Sequence, residues 1–386
     1  MWFLRDPLRL SEFQLFIPQT LTPLLLLIDG SRTPRAIHDD FCQYVGESVP
    51  FKIITDALEK LDKACLLDNP RALAAKEAQL ANYRAEAYRT PSLAGHGYPA
   101  QPHELDSLLD SFDTGDNHEQ WPSWKGRGIV SPHIDYHRGG PVYSQVWNRA
   151  VPAIEASDLV IIFGTDHSGG PGTITLTRQP YATPYGVLPI ELDVVDKLAG
   201  ALGEHNAFSD ELHHRDEHSI ELSAVWLHHI IRRHDLPDKA MLPILVGSFQ
   251  HFIENGDHPR DDQRLNSFLK VLQEETKDRK VLAVASVDLA HIGPAFGDPF
   301  YADAGFRSQI NTYDQALIYS AIGGDSETWY EQIAANQDRY RICGFSPTYI
   351  LLRFLGPTRG RQIAYDQCPA DADNNSLVSI CGLLIE

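Results

Sequence analysis

Leu159-Val160-Ile161-Ile162-Phe163-Gly164-Thr165-Asp166-His167 is an apolar run that ends in a sharp turn and a histidine. Two other stretches share this design. They are Gly128-Ile129-Val130-Ser131-Pro132-His133 and Val281-Leu282-Ala283-Val284-Ala285-Ser286-Val287-Asp288-Leu289-Ala290-His291. Continuous apolar runs suit strands buried on both faces of a parallel sheet, because a strand with one wet face would alternate. In open α/β sheets, ligands bind just beyond the carboxyl ends of the strands. Three histidines delivered to one such edge make a metal or acid–base site. Further strands are expected at Met241–Val246 and Leu377–Leu384, with helix signals between them. The fold class is therefore α/β, a mixed or parallel central sheet flanked by helices.

The 386 residues are 43% hydrophobic and 22% charged, an ordinary globular composition with room for two or three domains. A net charge of -19 argues against a nucleic-acid partner. Cys42, Cys65, Cys343, Cys368 and Cys381 are scattered and form no CxxC pair, so neither a disulfide framework nor a zinc knuckle is indicated. That usage fits a reducing cytoplasm. Met1–Leu10 leads into no signal-type apolar core, and Leu24–Ile28 is too short to cross a bilayer, so no membrane association is expected.

Three segments are expected: residues 1–70, a helical linker over 71–120, and an α/β domain over 121–386 that begins near Trp121. In the first, Thr33 is a candidate N-cap with Pro34 at the first helical position, and Gly46 closes that helix. Ile53, Ala57, Leu58, Leu61 and Cys65 mark a second amphipathic helix. An apolar, strand-like exit at Leu66-Leu67 completes a winged-helix pattern.

His133 opens a loop between a buried strand and a helix expected over Val142–Ala150, which follows a Gly139-Gly140-Pro141 turn. A histidine there suits ligation better than core packing. His167 sits among Gly164, Gly169 and Gly170, which let the backbone approach an ion, and Asp166 is a candidate to orient an imidazole. His218 falls in the first turn of a helix with Asp216 as its expected N-cap, where a neutral imidazole would face an anionic substrate. His213, His214, His228, His229 and His234 read mostly as solvated helix-surface residues. His291 is either a metal ligand or an acid–base group, and Asp288 either fixes its tautomer, joins the metal or merely turns the chain. Cys343 reads as a small buried hydrophobe at the entry of an apolar helix over Tyr349–Leu355. No GxGxxG, Walker loop or HExxH is present.

Two resemblances follow. LLLLIDGSRTPRAIHDDFCQYVG with ITDALEKLDKACLLDN resembles the small winged-helix domains of the PqqD-like type, which bind a peptide or a partner enzyme. The stretches SPHIDYHRGGPV, GTDHSGG, YATPYGVLPI, DEHSIELSAVWL, LPILVGS, SVDLAHIG, ICGFSPTYILL and DNNSLVSICGLLI, in this order, resemble the MEMO family, including the B component of the AmmeMemoRadiSam system. That resemblance implies the fold of class III extradiol dioxygenases, which hold non-haem Fe(II) with two histidines and a carboxylate. It implies His133 and His167 as metal ligands, His291 as the acid–base residue and His218 in the same cleft. It also implies a cysteine ligand just before the last histidine, where this chain has Ala290. The third ligand stays open among Asp288, His218 and His291, and Asp288 completes the expected metal set. The cofactor implied is Fe(II), with zinc or copper as alternatives. The activity implied is dioxygenase-type redox chemistry on a small molecule or peptide. The rivals are an accessory protein for a radical-SAM partner and a zinc-dependent hydrolase.

Overall fold

A computed structural model describes residues 1–113, 115, 124 and 126–386. The chain forms two compact units, Met1–Ala85 and Glu86–Glu386. Trp121, near which a boundary was expected, lies outside the described residues. The helix Pro70–Ala85 belongs to the first unit.

In the first unit, an antiparallel hairpin pairs Trp2–Leu4 with Leu15–Ile17. The helices Thr22–Leu27, Pro34–Val45 and Phe51–Lys63 follow. The Thr33 side chain accepts from the Ala36 N–H, and Gly46 ends that helix at φ +75. Leu24, Ile37, Phe41 and Ile54 form a small core. Leu66-Leu67 carries no strand. Asn69 Oδ1 accepts from the N–H groups of Arg71 and Ala72, so this stretch turns directly into the next helix.

The second unit is built on an eight-stranded sheet. Its order is His291–Ile292, Leu377–Ile385, Gly128–Ser131, Val281–Ser286, Leu159–Thr165, Ala240–Val246 and Ile174–Leu176, with Gly360–Pro369 paired to Leu377–Ile385. The three histidine-bearing runs are adjacent and parallel. Ser131 and Gly164 both register with Ser286, so the three carboxyl ends emerge side by side. Leu159, Ile161 and Phe163 enter one core while Val160 and Ile162 enter the other. Both faces are thus covered, which is why these strands do not alternate.

One covering helix, Tyr136–Ala156, runs straight through Gly139-Gly140-Pro141, where a turn was expected. The glycines are there for contact. A Cβ at Gly139 would fall 2.5 Å from Ile134 and one at Gly140 would fall 2.5 Å from the Phe112 ring. A second helix, His218–Arg233, is buried on nearly all sides. His228 and His229 on it are consequently buried, and so is His214 on the short preceding helix His213–Asp216, contrary to the surface reading, and each takes a specific partner. Tyr181 meets His214, Thr183 meets His228 and Asp106 meets His229. His234 is exposed, as expected. Arg89, fully buried, pairs with Glu221 of that helix and donates to the carbonyls of His214 and Glu217. Glu221 also accepts from the Ser92 and Leu93 N–H groups and the Tyr98 hydroxyl, so this buried charge pair is fully bonded. Among the described residues no helix is long and apolar enough to cross a membrane.

His214 gives the fold a pH dependence. Its Nε2–H donates to the Thr175 carbonyl while the Tyr181 hydroxyl donates to Nδ1, so the ring is neutral. Burial pushes its pKa down to about 3. An unfolded histidine takes up its proton near about 6.5. The stability His214 contributes is therefore complete above that value and is lost as pH falls from there toward its folded pKa, at about 1.4 kcal/mol per pH unit. Denaturant melts at about pH 7.5 and about pH 5 should show a smaller loss in His214→Gln than in the parent. Equal losses would contradict this assignment.

Candidate functional site

Each of the three parallel strands ends in a turn whose second residue carries a donor atom. His133 follows Ser131 by two positions, His167 follows Thr165 by two, and Asp288 follows Ser286 by two. Asp288 Oδ1 accepts the backbone N–H of His133 at 2.9 Å and of Ile134 at 3.2 Å, which locks the first turn to the third. His133 Nδ1 lies 2.9 Å from the Ser286 carbonyl. A carbonyl only accepts, so Nδ1 carries the proton and Nε2 the lone pair. That lone pair lies 3.2 Å from Cys343 Sγ and 3.7 Å from Asp288 Oδ2. Burial, then the neighbouring His167 and His218, hold the His133 pKa well below the usual imidazole value. Burial also raises Asp288 to about 6, against the His133 hydrogen bond, and pushes the Cys343 thiol well up.

The remaining imidazoles are set by the helix that starts at His218. Its end packs against the second strand because position 164 has no side chain. A Cβ there would fall 2.5 Å from Ile220 and 2.6 Å from Ser219 Oγ. Ser219 Oγ donates to the Thr165 carbonyl at 2.8 Å, and Ser286 Oγ donates to the Ser219 carbonyl at 2.6 Å. The N-cap is Glu217, one residue later than the expected Asp216. Its carboxylate accepts from the His218, Ser219 and His167 N–H groups and meets Nδ1 of both His167 and His218. The anion drawn to this helix end is thus the chain's own, which displaces the expected role of His218 toward an anionic substrate. Burial favours the neutral forms of His167 and Glu217. Their mutual hydrogen bond and charge outweigh it, so His167 is raised and Glu217 lies well below the carboxylate range.

Ring centroids of His133, His167 and His218 lie 4.9–5.2 Å apart, and one donor atom of each falls within 4.8 Å of the others. His133, Asp288 and Cys343 form a second such group. His291 stands just outside both. It lines, with His167 and Cys343, a cavity of about 350 Å³. Its Nδ1 faces the carbonyls of Leu289 and Arg341, and burial lowers its pKa to about 4.

The sequence reading missed Cys343 and Glu217. Ala290 is buried and offers no donor, but a thiol reaches His133 from Cys343 instead. Gly344 permits this, because a Cβ there would fall 2.7 Å from the Asp288 carbonyl. Asp166 does orient an imidazole, but that of His213, at 2.9 Å. His213 is correspondingly not a solvated residue.

Glu217→Gln should remove the charge that biases His167 toward its protonated form. Burial then dominates, and the His167 pKa drops below about 6.5. An NMR titration of the imidazole checks this, and an unmoved midpoint would refute the coupling.

A family model described as Memo-like protein matches residues 89–384. A MEMO1 family protein of Aquifex aeolicus is 27% identical over 383 residues, covering 98% of this chain and 94% of its own length. One from Methanosarcina mazei is 25% identical, over 77% of this chain and 99% of its own. One from Thermus thermophilus is 25% identical, over 86% and 93%. The strand-end histidines, the helix that follows Glu217 and the Cys343 turn all fall inside the matched span, and the chain belongs to the Memo-like protein family.

Proposed function

We propose that this cleft holds a divalent transition metal, iron(II) in the first instance, and that the chain is a metal-dependent oxidoreductase of dioxygenase type. Its substrate would be a small molecule or a peptide side chain entering the adjacent cavity. One observation carries the reading. His133, His167 and His218 each commit Nδ1 to an outer acceptor, Ser286 O for the first and Glu217 for the other two. That leaves Nε2 of each as the atom free to ligate, a lone pair already on neutral His133 and one exposed on His167 by loss of its proton, the arrangement typical of metal-binding histidines. His133 is common to both donor groups. His133 and His167 supply imidazole, Asp288 and Cys343 supply anionic donors, and His218 flanks them. Imidazole with thiolate and carboxylate suits iron, zinc or copper rather than magnesium or calcium. Bound iron(II) would supply redox activity and Lewis acidity beside the cavity.

The chain's own residues supply the rest. Glu217 fixes the rings of His167 and His218. His291 is neutral near pH 7, and its Nε2 accepts a substrate proton while Leu289 O and Arg341 O hold the other edge. Phe249, Phe296 and Phe345 give the cavity an apolar wall. Anaerobically purified protein should contain stoichiometric metal by elemental analysis, and His133→Ala and Cys343→Ala should lower affinity at least about 10–100-fold. Oxygen uptake separates iron from zinc. Parent-like metal binding by His133→Ala would end this reading.

A second reading concerns the first unit. Its groove of about 790 Å³, lined by Phe3, Leu25, Ile28 and Leu58 with Arg5 and Asp68 at hand, favours capture of a peptide or a radical-SAM partner. Co-purification of that partner should require residues 1–85. Undiminished capture after their removal would exclude the role.

A further inference from the structure

The cavity beside the histidine cluster is walled by Phe249, Phe296 and Phe345 and, besides Asp166 and His167, is lined by the charged residues Asp338 and Arg341. Arg341 is already engaged. Its guanidinium forks Asp298, with contacts of 2.7 and 3.1 Å, and also donates to the His291 carbonyl. One cation therefore stands near two carboxylates and bonds Asp298. Asp338 Oδ1 accepts the Ile342 N–H at 2.9 Å, and among the described residues no side-chain cation bonds it. The other cavity carboxylate, Asp166, is bonded to His213.

The loop that presents Asp338 is held in a costly conformation. Gln337, Asp338 and Arg341 have φ of +54, +45 and +51, a region that side-chain-bearing residues adopt rarely. Such strain persists where surrounding structure imposes it, and it clusters at ligand sites. The same loop delivers Cys343 to His133.

We infer that Asp338 selects the ligand of this cavity: a small organic cation, with a protonated amine or amidine head on an apolar body the size of one or two rings. The inference rests on the reading of this cleft as a substrate site and names its substrate class. At about 350 Å³ the cavity is at the small end for ligand pockets, and its aromatic walls suit a flat apolar body. An anionic head would meet Asp338 with the nearby guanidinium already engaged. A neutral head would leave a half-buried carboxylate with only the charge of Arg341, which is already bonded to Asp298, to offset it. Burial raises Asp338 to about 7, and a bound cation would restore its ionised form.

Benzamidine, benzamide and benzoate test this. They share one ring and differ in head-group charge, and a protonated amidine does not ligate metals. By calorimetry at about pH 8, benzamidine should bind full-length protein about tenfold tighter than benzamide, and benzoate should bind weakest. Asp338→Asn should bring benzamidine and benzamide together, whereas Asp338→Glu should keep the order, with the melting temperature reporting intact folding. Parent protein that binds benzamide or benzoate as well as benzamidine, or binds none of the three, overturns the inference. So does a preference that survives in Asp338→Asn. Metal content is measured on the same samples. A cation preference in protein that takes up no metal would sink the metal reading and leave this one standing.

Discussion

Parallel pairing of Gly128–Ser131 and Leu159–Thr165 on either side of Val281–Ser286 is the constraint from which the site follows. Parallel strands that share a register expose their carboxyl ends at one level, so the three turns beyond them must occupy the same space. That crowding is resolved by bonds between turns rather than within them. Asp288 takes the N–H groups of the first turn, and the Ser286 carbonyl takes the His133 ring. A slip of one residue between any two strands would invert the side chains and break these links together. The strands tolerate no slip, because each is buried on both faces and their apolar residues already have places in one of two cores.

The helix beginning at His218 adds the second half of the site, and its position depends on buried polar groups that the apolar core alone would not specify. Arg89 and Glu221 anchor it from one side, and Ser219, Ser223 and Ser286 tie its first turns to the strand ends. A buried carboxylate at its N-terminus then serves three purposes. It caps the helix, it holds the His167 turn, and it orients two imidazoles. Few residues could replace Glu217. A shorter acid would not span both rings, and a neutral amide would not balance a charged His167.

Much of this was legible in the sequence because the decisive signals were local. Unbroken apolar runs announced the strands, and the histidines after them lay within a few residues. The fold class, the strands near Met241 and Leu377, and the caps at Thr33 and Gly46 needed nothing more. What escaped was non-local. Cys343 lies 210 positions from His133, and nothing in its own neighbourhood distinguishes a thiol in the core from one facing an imidazole. Glu217 and Asp216 are adjacent acids, and only the direction of chain entry decides which one caps the helix. Gly139-Gly140 reads as a turn by composition, but its glycines answer to Ile134 and Phe112 across the interface. The buried histidines of the long helix were misjudged for a related reason. A histidine on a helix carries no mark of how many faces that helix will bury.

The protonation pattern of the site has a consequence for how it is filled. His133 is held neutral with its lone pair already turned inward, so it offers a donor without losing a proton. His167 is biased toward the charged form by Glu217, and burial keeps the Cys343 thiol protonated. On the proposed metal reading, entry of an ion would be an exchange in which Cys343 surrenders a proton, His167 surrenders one where Glu217 holds it charged, and His133 surrenders none. The same carboxylate that aligns His167 also competes with the ion by favouring imidazolium. Once the proton has left, Glu217 holds an uncharged ring by its Nδ1–H and directs Nε2 inward, and the competitor becomes the support. A site so arranged would stay electrostatically balanced with or without the proposed ion, with protons in its place when empty. That balance is what allows so many ionisable groups to be buried at one edge of a sheet without opening it.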